Sequence, residues 1–185
     1  MVNGNASQTG DATRLYHVSD RPDIPLFEPR PARAGHPHAG LPPVVWAVGE
    51  RLLHNYLLPR DCPRVTFYAA ADSDPDDVAR LLGTTAAGYI VAIESGWLDA
   101  VRATTLWLYE LPPETFELLD PIAAYYVSRQ PVRPLAVRCV DDLLGELARR
   151  GVELRVTPSL WPLRDAVLAS SLAFSFIRMG NARAL

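Results

Sequence analysis

Three stretches of this 185-residue chain gather side chains able to bind, polarise or move protons. Leu15-Tyr16-His17-Val18-Ser19-Asp20 sets a tyrosine, a histidine and a hydroxyl at the end of a β-prone run, directly before a long proline-rich segment. Strand ends that feed long loops are where binding and catalytic groups collect. The second stretch holds Trp46, Tyr56, Arg60, Asp61, Cys62 and Arg64. It reads as a pocket wall, with an aromatic face, a guanidinium for an anion and a carboxylate to orient it. Its structural alternative is an Arg60–Asp61 ion pair that pins a proline turn. Arg60 and Arg64 flank Cys62 and can lower its thiol pKa. The third stretch runs from Tyr109-Glu110 through Glu114, Phe116-Glu117 and Asp120-Pro121 to Tyr125-Tyr126 and Arg129. Carboxylates at a strand end can act as bases or stabilise a developing cation. Taken singly, Glu110, Glu114 and Glu117 read as solvated loop charges. His36-Pro37-His38 shows two ligand-type side chains and no third, so no metal site is expected.

Composition limits the chemistry further. All 18 basic residues are arginine. Without lysine there is no Schiff-base amine for covalent catalysis and no Walker-type phosphate lysine. The net charge of −3 argues against general binding of a nucleic-acid backbone. Hydrophobic residues at 49% and charged residues at 21% indicate a globular chain of one-domain length. No apolar run is long enough to span a bilayer. The opening MVNGNASQTG lacks a basic start and an apolar core, so the expectation is a cytoplasmic protein with Cys62 and Cys139 reduced.

The elements that must position these residues are short. Residues 1–12 are expected to be disordered, ahead of one domain over 13–185. Strands are predicted at 14–19, 44–46, 64–69, 88–93, 104–109, 125–128, 132–140 and 153–156. Seven prolines between Asp20 and Pro43 exclude a helix there. A loop that long is functional or mobile as a rule. A helical stripe at 52, 53, 56 and 57 ends at Pro59. Asp74-Pro75-Asp76-Asp77 is a helix start, with a capping carboxylate, proline in the first turn and acids at the positive end of the dipole. Its helix is expected to stop near Gly83. Further helices are predicted around 97–103, over 140–150 with Gly151 closing it, and over 159–173. Many short strands with interspersed short helices make the class α+β.

The order of these segments carries a resemblance. Tyr16-His17-Val18-Ser19, then Val44-Val45-Trp46-Ala47, then Leu106–Glu110 with Phe116-Glu117 and Asp120-Pro121, then Tyr126-Val127-Ser128-Arg129-Gln130-Pro131-Val132 resemble the ADP-ribosyltransferase-like bacterial proteins. The small rifampin ADP-ribosyltransferases are the nearest in pattern. Over most of its length the chain is also similar to a family of small bacterial proteins with a PRDCPRV signature, here Pro59–Val65, to which no activity is attached.

The resemblance implies a split β-sandwich with an NAD cleft and a transferase or NAD glycohydrolase activity on an unknown acceptor. His17 would bond the nicotinamide-side ribose, and Trp46 or Tyr56 would pack on nicotinamide. Glu117 or Asp120 would stabilise the oxocarbenium ion. Tyr16, Ser19, Arg60, Asp61, Tyr126 and Arg129 complete the set expected around the dinucleotide. No metal, membrane or general nucleic-acid partner is implied. Two departures stand out. Ala123-Ala124-Tyr125-Tyr126 occupies the place of the late-strand glutamate of typical transferases, and the prolyl segment 20–43 is longer than in the rifampin enzymes. They leave two alternatives: a repurposed fold performing another small-molecule (natural-product tailoring) reaction, or a binder of a nucleotide or small ligand without transfer chemistry.

Overall fold

The computed structural model describes residues 14–32, 38 and 40–184. The expectation for residues 1–12 and the role of His36 lie outside them. The fold is α+β, built mostly of strands in two sheets with several short helices. Five strands of the larger sheet follow the periodicity of the sequence: β1 (Leu15–Ser19), β2 (Val45–Gly49), β5 (Leu106–Leu111), β7 (Tyr125–Ser128) and β8 (Ala136–Val140). The sixth, β6 (Glu117–Asp120), corrects the reading of Glu117 as a loop charge: it pairs along β7 and forms an edge of the sheet. Glu110, likewise, lies within β5 and accepts hydrogen bonds from Arg14. The spatial order is β6-β7-β2-β1-β5-β8, antiparallel throughout.

The smaller sheet contains β3 (Arg64–Tyr68), β4 (Tyr89–Glu94), β9 (Val152–Thr157) and β10 (Ala173–Ile177), in the order β10-β3-β4-β9. Only β4 and β9 run parallel. The predicted helix over 159–173 is shorter: α4 spans Trp161–Leu168, and the chain then forms β10. Ser170 and Ser171 break the helix by competing for its hydrogen bonds. The Ser170 hydroxyl donates to the Val167 carbonyl, and the Ser171 backbone N–H and hydroxyl both donate to Asp77. Asp77 belongs to α1 (Pro75–Leu81), which starts on the expected Asp74 cap and is followed by Gly83 at φ +70°. The stripe at 52–57 is wound as a 3-10 helix over Glu50–Tyr56. The region 132–140 is divided by its prolines into an isolated bridge at Val132 and the strand β8.

Alternation of side chains across the strands produces three apolar layers. Between the sheets, Tyr16, Val48, Leu106 and Leu108 meet Val91, Ile93 and Val152. On the far side of the smaller sheet, Val65, Phe67, Ile90 and Ala92 lie under Leu81 of α1 and Leu160 and Val167 near and within α4. On the far side of the larger sheet, Leu15, Val45, Ala47, Tyr109 and Leu111 are covered by Phe27 and Val132. The proline-rich segment is therefore anchored over residues 20–32. Phe27 and Val132 exchange both backbone hydrogen bonds, Arg30 and Val44 do the same, and the buried Tyr109 hydroxyl donates to the Arg21 carbonyl while accepting from the Ile24 N–H. Proline supplies no donor, so the bonds fall on the residues between the prolines.

One polar hub ties helix to sheet. Glu146, on α3 (Leu143–Arg149), accepts from Arg138 of β8 and from Arg149 and Arg150. These partners, Arg138 foremost, hold its carboxyl down at about 2. His54 is the opposite case. Its ring is buried against Tyr89, and burial, followed by the charges of Arg150 and Arg51, lowers its pKa to about 4.

Three outcomes follow from these contacts. Phe27→Ala uncovers the outer layer of the larger sheet and costs about 3–5 kcal/mol in urea unfolding. An unfolded chain protonates His54 near pH 6.5, whereas the folded chain resists until about 4, so stability falls by roughly 3 kcal/mol as the pH drops through that window. His54→Leu removes this slope. The Glu146 contribution is full above pH 4.5 and is lost as the pH falls from there towards 2. Urea titrations in half-unit pH steps separate the two windows.

Candidate functional site

The larger sheet opens between β1 and β2. β1 pairs with β5 over five residues, from Leu15↔Leu111 to Ser19↔Trp107. With β2 it pairs only at Leu15↔Gly49 and Tyr16↔Val48. Past Tyr16 the two strands part, and their facing backbone groups need other partners. His17 supplies one: its Nδ1 lies 3.0 Å from the Trp46 carbonyl oxygen. A carbonyl only accepts, so Nδ1 carries the proton and Nε2 keeps a lone pair. The half-buried ring packs 4.8 Å from Phe27, which meets Tyr109 edge-on. Desolvation lowers the His17 pKa, and the Arg60 and Arg30 charges lower it further, against the opposing effect of the Trp46 bond. The imidazole is therefore neutral at pH 7.

Beside this bridge is a cavity of about 170 Å³, walled chiefly by Tyr16, Val18, Trp46, Val48, Tyr56 and Tyr125, with His17 at its margin. Tyr125 meets Trp46 edge-on at 5.8 Å, and the Tyr56 hydroxyl is hydrogen-bonded to that of Tyr125. Burial first, then Tyr125, drives the Tyr56 phenol far above its ordinary value, so it stays protonated. Arg64 is 3% exposed and has no carboxylate within ion-pair distance among the described residues. Its guanidinium donates to the Cys62 and Pro59 carbonyls, which staples the PRDCPRV turn, while its Nε lacks a partner. Burial lowers its pKa to about 10, so the charge persists at neutral pH. On the other side of Tyr16 is a polar bowl of about 330 Å³, where Arg14, Arg138 and Arg150 face Glu50 and Glu110. Those charges are already paired, with Glu146 taking two of the arginines.

The structure brings Tyr16, His17, Trp46 and Tyr56 to one cavity and spreads the other expected residues around it. Ser19 turns the chain out of β1, its hydroxyl accepting from the Arg21 N–H. Arg60 pairs with Asp20 at 3.7 Å, and Asp61 with Arg178 at 3.8 Å. They form two separate exposed pairs in place of the expected Arg60–Asp61 pair, because consecutive residues in this turn face different neighbours. The expectation of a lowered Cys62 pKa is also corrected: the thiol is buried and pushed up to about 11. Tyr126 faces the outer layer of the larger sheet, and Arg129 is exposed beyond β7.

Glu117 is opposite Val127, which is opposite Trp46. Residues paired across antiparallel strands share a face, so Glu117 is on the Trp46 side, two strand spacings or about 10 Å away. Asp120 follows a register shift in β6. Its Oδ1 accepts from the Ile122 and Ala123 N–H groups, and its Oδ2 is 4.0 Å from His38 Nε2. Sequence reasoning named Tyr125 and His38 without placing them at the cavity, and it missed Phe27 and Arg30. Period-two alternation was the available signal for Tyr125: of two adjacent tyrosines on a strand, one must face the cavity and the other the opposite layer.

A family model matches residues 16–182, nearly the whole chain. The chain belongs to DUF6886, a family of unknown function. The DUF6886 match takes in the β1 histidine, the aromatic cavity and the PRDCPRV turn together. No curated protein and no solved structure matches the chain. Among the described residues no helix is long and apolar enough to cross a membrane.

The state of His17 is directly measurable. Long-range proton–nitrogen correlation spectra will show the neutral Nδ1–H tautomer at pH 7, with titration below the 6.5 of a free imidazole. A protonated ring at pH 7 contradicts the geometry described above.

Proposed function

We infer that this DUF6886 protein cleaves NAD at the nicotinamide–ribose bond, as an ADP-ribosyltransferase or NAD glycohydrolase of the split-sandwich kind. One observation carries the reading: a neutral histidine bridges the opening between β1 and β2 beside an aromatic cavity. At about 170 Å³ the cavity is smaller than the roughly 300–1,000 Å³ of pockets that enclose a whole drug-sized ligand. It suits one flat ring, stacked among Trp46, Tyr56 and Tyr125. The rest of a dinucleotide would extend past His17, where the charges of Arg30 and Arg60 favour phosphate. The lone pair on His17 Nε2 is an acceptor for a ribose hydroxyl.

Cleavage sends the electron pair of the C1′–N1 bond to nicotinamide and leaves an oxocarbenium ion, which a nearby negative charge must stabilise. Glu117, on the cavity side of the sheet, is the carboxylate the register favours for that task. A second reading, ligand binding without transfer, draws on the absence of any carboxylate from the cavity wall among the described residues.

Calorimetry and a nicotinamide-release assay separate these readings. The transfer reading expects saturable NAD binding, weakened about tenfold in His17→Ala by loss of one hydrogen bond. It also expects nicotinamide release reduced about 100-fold or more in Glu117→Gln. Binding with no release selects the second reading, and no binding at millimolar NAD removes the dinucleotide from both.

A further inference from the structure

Aromatic cavities ordinarily attract cations, because the faces of tryptophan and tyrosine rings carry negative potential. The cavity walled by Trp46, Tyr56 and Tyr125 has a buried guanidinium behind it that opposes this attraction. Arg64 is paired with Ile93 across β3 and β4, and Tyr125 with Val48 across β7 and β2. Paired residues share a face, and Ile93 and Val48 both belong to the layer between the sheets. Arg64 therefore points into that layer from the smaller sheet and Tyr125 from the larger one. Tyr56 packs on the same layer and is hydrogen-bonded to Tyr125.

The Arg64 charge is uncompensated. Its bonds go to two neutral carbonyls, Cys62 at 3.0 Å and Pro59 at 3.2 Å, and its Nε–H has no partner among the described residues. After burial, the groups that act most on it are the Cys62 thiol, the Tyr56 phenol, the Arg178 guanidinium and the Tyr125 phenol, with no carboxylate among them. The charged side chains that act most on Tyr56 are Arg64 and then Asp120. Asp120 is partly exposed, so water screens it, whereas Arg64 is only 3% exposed. At the margin of the cavity the charges that act on His17 are Arg60 and Arg30, again positive.

We propose that Arg64 sets the charge selectivity of the aromatic cavity, which accepts an anionic or neutral flat ring and disfavours a cationic one. Its consequence for catalysis rests on the NAD-cleaving reading. The nicotinamide ring of NAD is a cationic pyridinium. As the C1′–N1 bond breaks, its electron pair passes to the ring nitrogen, the ring becomes neutral, and the positive charge moves to C1′. A fixed positive charge behind the ring opposes the bound cation and not the neutral leaving group, so it weighs more on the ground state than on the transition state. Arg64 touches no reacting atom. It is a specificity residue acting through the cavity wall, and Glu117 remains the carboxylate for the oxocarbenium ion.

Calorimetry on the full chain with three flat rings tests the selectivity without any turnover: neutral nicotinamide, anionic nicotinate and cationic N1-methylnicotinamide. Desolvation penalises both ions, and the field of Arg64 separates them. Wild type is expected to bind nicotinate about tenfold or more tighter than N1-methylnicotinamide, against the preference of the aromatic walls. Arg64→Gln closes that gap. In turnover, Arg64→Gln slows nicotinamide release about tenfold while binding NAD at least as tightly as wild type. A residue that only staples the turn would weaken both. Equal binding of the two ions by wild type, tighter binding of the cation, or no binding of any ring overturns the proposal, as does an unchanged gap in folded Arg64→Gln. If that variant does not fold, the wild-type comparison of anion with cation decides. Charge selectivity without NAD binding overturns the NAD-cleaving reading and leaves the selectivity in place. NAD cleavage without charge selectivity does the reverse.

Discussion

The hydrogen bond from His17 Nδ1 to the Trp46 carbonyl is the interaction around which the site is arranged. A sheet strand that loses its neighbour exposes donors and acceptors that must be satisfied some other way. Here β1 keeps its full ladder with β5 and gives up most of its ladder with β2. The histidine ring crosses the opening and replaces a backbone donor with a side chain. A bond that keeps the sheet together at its opening therefore also selects a tautomer and leaves a lone pair on the other ring nitrogen. One ring thus presents two atoms: Nδ1 joins the strands and Nε2 keeps the lone pair.

The proline-rich segment covers His17, which β2 and β5 hold from within the sheet. Phe27 packs on the ring, and Tyr109 holds the chain at Arg21 and Ile24. The segment has the composition of a loop but the contacts of a covering layer. Its anchoring also contributes to the electrostatics: burial lowers the His17 pKa most, and Arg30 of the segment adds to the effect of Arg60 in the PRDCPRV turn. Two guanidinium charges thus act on the His17 ring although the net charge of the protein is only −3.

Much of this was legible in the residues. The Asp74 cap, the closure at Gly83 and Gly151, and the strands around Tyr16, Phe67 and Leu108 follow from local chemistry, and the structure contains them. The cavity group Tyr16, His17, Trp46 and Tyr56 also emerged from segment order. What local reasoning missed depends on distant pairing. β6 exists because β7 is beside it, and an isolated Glu-Leu-Leu-Asp gives no alternating signal. β10 is not among the predicted strands, because its alternation, Ala173 to Ile177, covers only five residues; only Ala173 of it falls within the helix expected over 159–173. The fate of Arg60, Asp61 and Cys62 was set by neighbours in other elements, Asp20 and Arg178 among them. Burial around Cys62 outweighs the adjacent arginine charge, the reverse of what sequence proximity implies.

The smaller sheet carries a consequence for how the chain is made. β3 is flanked by β4, which follows soon after it, and by β10, which is translated about a hundred residues later. Until residues 173–177 leave the ribosome, one side of β3 has no strand beside it, and β4 similarly waits for β9. The order of synthesis thus leaves the PRDCPRV turn attached to a half-built sheet until β10 is made. Ordering of that turn, and with it of the Tyr56 wall of the cavity, is expected to follow the synthesis of residues 173–177.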